Sequence, residues 1–185
     1  MKRNLSNTSQ SGVTLIELTV VAVVLAVVAS LGAPSLSRTV AGYRQRAAVQ
    51  SMLAAFHFAR VEAVARGQSV TLCPVAATRE DCGTDYRVGW KVFVDPDRDQ
   101  RLYGDEKLLR SFPPIPDTLV VSNRAGTRAP HEPVTWYPDG TAHRNLTLQV
   151  CAAGGRGRDA FSVVLNLIGR PRVARGVGLC PGEAA

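Results

Sequence analysis

Near the C-terminus Gly169, Arg170, Pro171 and Arg172 follow one another, and Arg175 stands three residues further on. Guanidinium groups are planar forks that match phosphate oxygens. If residues 170–175 are extended, Arg170 and Arg172 project to the same side, because strand side chains alternate with period two. Two strand rises set the forks ~7 Å apart, the spacing of successive phosphates on one nucleic-acid strand. That chemistry is sequence-independent binding of a phosphate backbone, weakened by salt and blind to the bases. Gly169, with no Cβ, would let the main chain come close to the ligand. Arg156 and Arg158, in the run GGRGR, are candidate helpers, as is Arg175. Between residues 110 and 175 nine arginines face four acids, an excess that favours an anionic partner. A second reading of these arginines stays open: they solubilise a tail or contact neighbouring subunits.

Another candidate is a carboxylate in an apolar setting. Residues 13–33 read VTLIELTVVAVVLAVVASLGA and carry one charge, Glu17. Roughly 20 apolar residues at ~1.5 Å rise span the ~30 Å hydrocarbon core of a bilayer. A carboxylate inside that layer is costly unless it meets a partner, so it is a functional candidate. Cleavage between Gly12 and Val13 would create a free α-ammonium four residues upstream, on the helix face of Glu17. Lys2 and Arg3 precede the run and place that end in the cytoplasm. A secretory signal is the bland alternative. Its apolar region would be unusually long, and residues 29–33 make a poor small-residue cleavage site.

Carboxylates at Asp95, Asp97, Asp99 and Glu106 match positions one, three, five and twelve of an EF-hand calcium loop. Against calcium stand Gln100 where the sharp turn normally needs glycine, a strand rather than a helix ahead of the loop, and the countercharges Arg98 and Arg101. Residues 95–106 therefore read as a solvated hairpin connection, and no metal or other cofactor is expected. Cys73, Cys82, Cys151 and Cys180 permit three pairings. Cys73 with Cys82 would close a short loop, and Cys151 with Cys180 would tie the tail to a strand. Their spacings lack the paired ligands of a zinc site. No enzyme is expected: His131 and Glu132 begin an HExxH pattern that Thr135 breaks, and GxSxG, P-loop and GxGxxG signatures are absent. His57, Trp90 and Trp136 read as packing residues.

The elements that must position these groups follow from periodicity. In residues 35–66 Leu36, Val40, Tyr43, Ala47, Leu53, Phe56, Ala63 and Val64 recur at helical spacing, and Gly67 is a natural C-cap. The expectation is one helix of about 50 residues, ~80 Å, whose first half is in lipid. Beyond it short β-rich runs alternate with turn signals: 68–73, 88–95, 106–111, 119–122, 134–137, 146–151 and 161–168. A lone helix and seven or so strands make an α+β chain with a mostly antiparallel sheet. The divisions are a leader at 1–12, a transmembrane and assembly helix at 13–34, an amphipathic helix at 35–67 and a β-rich domain at 68–185. In 185 residues, 45% apolar and 20% charged, there is material for one core, while a multi-span transporter and a collagen-like fibre are excluded. The net charge of +7 suits nucleic acid or lipid head groups.

GVTLIEL, residues 12–18, resembles the prepilin-type signal of type IV pilins and type II secretion pseudopilins, usually G-F-T-L-I-E, with Val13 replacing the commoner Phe. The resemblance implies cleavage after Gly12 by an inner-membrane prepilin peptidase and N-methylation of Val13. It also implies pairing of Glu17 with a neighbouring subunit's N-terminal amine, and a helix-kinking role for Pro34. VEAVARGQSVTLCP, GWKVFVDPDRDQ, YPDGTA and LNLIGRPRV are similar to segments of the minor-pilin and pseudopilin group that includes FimT, FimU and GspH. Together the matches extend over residues 12–173 and imply a type IV pilin fold. GRPR resembles the GRxR element by which FimT-type minor pilins hold DNA in natural transformation, which implies Arg170 and Arg172 as ligands of double-stranded DNA. The expected protein is a minor pilin, single-pass in the inner membrane with a periplasmic domain, then part of a pilus beside other pilins. A pilus-priming subunit without a ligand and a GspH-like secretion pseudopilin are the alternatives. An oxidising periplasm implies paired cysteines.

Overall fold

The computed structural model describes the backbone of residues 13–183 and the side chains of residues 13–30 and 39–183. Gly12, with the rest of the leader, and the side chain of Pro34 lie outside the described residues. The chain divides into two compact units, Met1–Val40 and Ala41–Ala185.

The first unit holds the start of helix α1 (Leu15–Arg66). Thr14 caps it, its Oγ1 accepting from the Glu17 amide at 3.4 Å. That bond satisfies one of the orphan amides of a helix start, and Thr14 and Glu17 stand at capping-box spacing. Glu17, in the first turn, also faces the positive end of the helix dipole. Every large apolar side chain from residue 13 to residue 28 is exposed, the least of them, Val21, at 53%. A helix start apolar on all sides and uncovered by its own chain is a surface for other apolar partners. Among the described residues no helix is long and apolar enough to cross a membrane.

In the second unit α1 ends in a Schellman cap. Gly67, at φ 62°, donates to Val64 O and Gln68 donates to Ala63 O, the pair of bonds that closes such an end. Eight strands follow: β1 (Val70–Pro74), β2 (Trp90–Val94), β3 (Leu108–Phe112), β4 (Leu119–Ser122), β5 (Val134–Trp136), β6 (Leu146–Ala152), β7 (Phe161–Leu165) and β8 (Pro171–Arg175). They form two antiparallel sheets rather than one, in the orders β3-β2-β1-β5 and β4-β6-β7-β8. All seven runs expected from the sequence are strands. The eighth begins at a proline, which an edge strand tolerates because its N–H side needs no ladder partner.

One core joins the helix to both sheets. Ala48, Val49, Met52, Ala55, Phe56, Ala59 and Ala63 of α1 pack with Leu72, Trp90 and Val92 of the first sheet and Val121, Leu148, Val150 and Val163 of the second. The helix stripe differs in part from the expected one: Phe56 and Ala63 are buried, but Tyr43, Ala47 and Val64 are exposed, and alanines share the contact with Val49, Met52 and Phe56. Large apolar residues mark a stripe in a sequence, but small ones let the helix lie close to the sheets.

Two disulfides, Cys73–Cys82 and Cys151–Cys180, each tie a segment outside the sheets to an inner strand, β1 and β6. The second draws residues 176–183 across the outer face of β6 and β7. There Leu179 donates to Arg124 O at 3.0 Å, and the backbone at Gly178 covers buried Gln149. The bridge spans 29 residues. Replacing Cys151 and Cys180 by serine is expected to destabilise the chain by about 3–4 kcal/mol in the chain-entropy account. Denaturant unfolding measures it; an unchanged midpoint would mean that the tail is held by its hydrogen bonds alone.

Candidate functional site

The arginines expected to act together fall into two groups at opposite ends of the β7–β8 hairpin. Register runs from Leu165 opposite Pro171 to Phe161 opposite Arg175. Arg172 and Arg175, three residues apart, are therefore separated by ~10 Å along the strand.

At the turn end lie Arg170 and Arg172, both exposed, with buried Pro171 between them. That alternation turns the two arginines away from the core, as the period-two argument requires. The turn is rigid for local reasons. Gly169 N donates to Asn166 O at 2.9 Å, and Arg170 N donates to Asn166 Oδ1 at 3.2 Å. Neither guanidinium forms an ion pair among the described residues. Leu167 and Ile168, at the tip, are 52% and 61% exposed.

Gly169 is placed otherwise than expected. It is buried, has φ 76°, and its Cβ position would lie 1.9 Å from Gly140 O. The close approach it permits is to its own chain, at the turn after β5, and not to a ligand. Gly140 in turn accepts from Arg60 Nε of α1 at 3.0 Å. Trp136 Nε1 donates to Gly169 O at 3.1 Å, and its ring meets Phe56 edge-on at 5.5 Å. Helix, first sheet and arginine-bearing turn thus meet at one indole.

At the other end Arg158, Arg175 and Arg46 gather round Asp159 and Phe161. Arg158 Nε is 3.7 Å and Arg175 Nη2 4.0 Å from the Asp159 carboxylate. The guanidiniums of Arg175 and Arg46 lie 5.4 Å and 5.9 Å from the Phe161 ring centre. Arg156 opens the short 3-10 turn Gly157–Asp159. Nearby Glu183 accepts from the amides of Gly157 and Cys180 at 2.6 Å and 2.7 Å. Those amides, then Arg156 and Arg158, hold its carboxyl below the usual range. Acids therefore answer this second group, whereas Arg170 and Arg172 stand unopposed. From the sequence Arg46 reads as part of a solvated helix face; only the fold brings it to Phe161, since nothing in spacing links it to residues more than a hundred positions away.

A helix with an uncovered apolar start, continuing into a buried face against two antiparallel sheets, is the pilin fold. Two crystal forms of the Pseudomonas aeruginosa type IV minor pilin FimU share it. One has a TM-score of 0.52 at 16% identity, over 76% of this chain and 99% of that one. The other has 0.54 at 16%, over 76% and 95%. The Vibrio cholerae type II secretion minor pseudopilin EpsH gives 0.49 at 16%, over 76% and 99%. No curated protein sequence matches the chain. The prokaryotic N-terminal methylation motif matches residues 7–33. The chain belongs to the family described as type II transport protein GspH, which matches residues 48–169.

Proposed function

We propose that this chain is a minor pilin that holds double-stranded DNA at its β7–β8 turn. It is cleaved after Gly12, N-methylated on Val13 and anchored by residues 13–34 in the inner membrane, with its second unit in the periplasm. Prepilin peptidase and membrane lipid are its partners before assembly, and other pilins after it. Glu17 and Pro34 serve assembly: the carboxylate pairs with the new N-terminal amine of a neighbour as apolar helices stack. The methylation motif and the uncovered apolar helix support this part of the reading.

A single observation carries the DNA reading. Arg170 and Arg172 are exposed, flank a buried proline on a rigid turn, and have no carboxylate partner among the described residues. Two unopposed guanidiniums two residues apart suit a backbone, not a base edge. Arg175, Arg156 and Arg158 lie further along the hairpin and extend the positive field rather than the contact. The GspH family description favours a second reading, a pseudopilin of type II secretion with no nucleic-acid ligand.

Titration of the full chain in detergent micelles with duplex DNA at two salt concentrations separates them. The DNA reading expects sequence-insensitive binding that weakens steeply with salt. Arg170→Ala/Arg172→Ala is expected to lower affinity at least tenfold and to reduce the salt slope by about 2. No binding by the parent chain leaves the secretion reading; full binding by the double variant moves the site elsewhere.

A further inference from the structure

Residues 95–106, between β2 and β3, read from the sequence as a solvated connection because three features spoke against a cation. The structure answers two of them. Gln100, where a calcium loop turns on glycine, has φ 65°, and Arg98 has φ 67°. The chain makes the left-handed turn without the residue that usually supplies it. Neither arginine forms an ion pair with Asp95, Asp97 or Asp99 among the described residues. Arg98 Nε donates to Ser69 Oγ at 3.3 Å, and its guanidinium lies 4.9 Å from the Tyr137 ring centre. Arg101 Nη2 donates to Asp81 at 2.8 Å.

The acids converge instead. One carboxylate oxygen from each of Asp95, Asp97 and Asp99 lies within 4.8 Å of the others. Asp95 is 0% exposed. Its Oδ2 accepts from the Thr71 hydroxyl, which the Thr135 hydroxyl supports at 2.6 Å. Its Oδ1 is buried with no hydrogen-bond partner. An orphaned, buried carboxylate oxygen is costly, and no donor of the chain serves it. At the far end of the loop Glu106 Oε1 is buried and unpartnered in the same way.

We propose that residues 95–106 form a calcium site, in which the Asp95, Asp97 and Asp99 carboxylates bind the ion, while Glu106, at the twelfth position and outside that cluster, adds its negative charge. The donors are oxygens, two of the three carboxylates exposed at the loop's rim, which suits Ca²⁺ better than the strict octahedron of Mg²⁺. The local charge agrees. Burial raises the Asp95 pKa, and Asp97 and Asp99 raise it further; burial also raises that of Glu106, with the three aspartates adding to it. A bound dication would relieve both.

The test uses the full chain in detergent micelles, stripped with chelator, then titrated with CaCl₂ or MgCl₂ while thermal unfolding is followed. Tb³⁺ serves as a second probe, excited through Tyr103, whose hydroxyl lies 3.3 Å from Asp97 Oδ2. Ca²⁺ is expected to raise the unfolding temperature with half-effect on the order of 10⁻⁴–10⁻³ M or below, and Mg²⁺ to do much less. Tb³⁺ emission is expected to appear and to be displaced by Ca²⁺. Asp97 and Asp99 are exposed, so Asp97→Asn/Asp99→Asn keeps the fold and is expected to lose at least tenfold in Ca²⁺ affinity. Absence of any shift or emission at about 10 mM ion, far above the range of such loops, overturns the proposal. So does undiminished binding by the double variant.

Discussion

Trp136→Ala is expected to lower the stability of the second unit by about 3–5 kcal/mol, the cost of deleting a fully buried aromatic side chain. Trp136 is 0% exposed and touches three elements: Phe56 of α1 across an edge-on ring contact, its own strand β5, and the carbonyl of Gly169. Truncation opens a cavity between helix and sheet and strands the Gly169 oxygen. For a unit of this size the unfolding temperature is expected to fall by on the order of 10 °C. Trp136→Phe separates the two effects. It keeps much of the packing while removing the N–H donor and part of the indole's volume, so the loss is expected to be smaller than for alanine but at least about 1–3 kcal/mol, the penalty for an unsatisfied buried acceptor. Thermal unfolding of the two variants checks the order. If the phenylalanine variant loses as much as the alanine variant, the hydrogen bond and not the packing holds the junction. The same variant links stability to function. A turn freed from Gly169 outward holds Arg170 and Arg172 less firmly, so under the proposed DNA binding the affinity is expected to fall although both arginines remain.

The parts of this protein written in local sequence are the parts that sequence reading recovers. Gly67 ends a helix because a left-handed residue is needed there, and seven β-rich runs between turn signals are strands because their residues suit a half-buried pleated surface. β8 is legible only as the extended run supposed for residues 170–175. Its burial pattern is broken by arginines, and its pairing partner β7 supplies the order that its own residues do not. The helix face shifted because alanine says little about burial until its neighbours are known. The site divides in the same way. Arg170 and Arg172 are legible because two residues of separation fix their relation along a strand. The split between them and Arg175 comes from a change of parity and from Asp159 and Phe161, which only the hairpin brings together. In residues 95–106 the spacing of the acids was visible, but the direction of Arg98 and Arg101 was not. Their partners, Tyr137 and Asp81, lie on other segments.

Gly169→Ala is expected to cost at least about 3 kcal/mol, more than the same change at Gly140, although both glycines have positive φ. A methyl group on Gly169 would stand 1.9 Å from Gly140 O, where no Cβ can be, so the backbone must move. That movement breaks the Trp136–Gly169 bond and strains the neighbouring Ala142–Leu167 bond of 3.0 Å, which tie the turn to the rest of the unit. At Gly140 the nearest obstacles are side-chain atoms of Arg60 and Val64 at 3.1 Å, which need to give way by only a few tenths of an ångström. There the left-handed conformation sets most of the penalty, about 1–2 kcal/mol. Denaturant midpoints of the two variants give the comparison, and DNA titration gives its meaning. A glycine kept for the approach of a phosphate would lose affinity on substitution while the unfolding midpoint stayed in place. A glycine kept for its own fold loses stability first, and affinity only as the turn gives way. The geometry requires the second pattern; the first would return Gly169 to the binding surface.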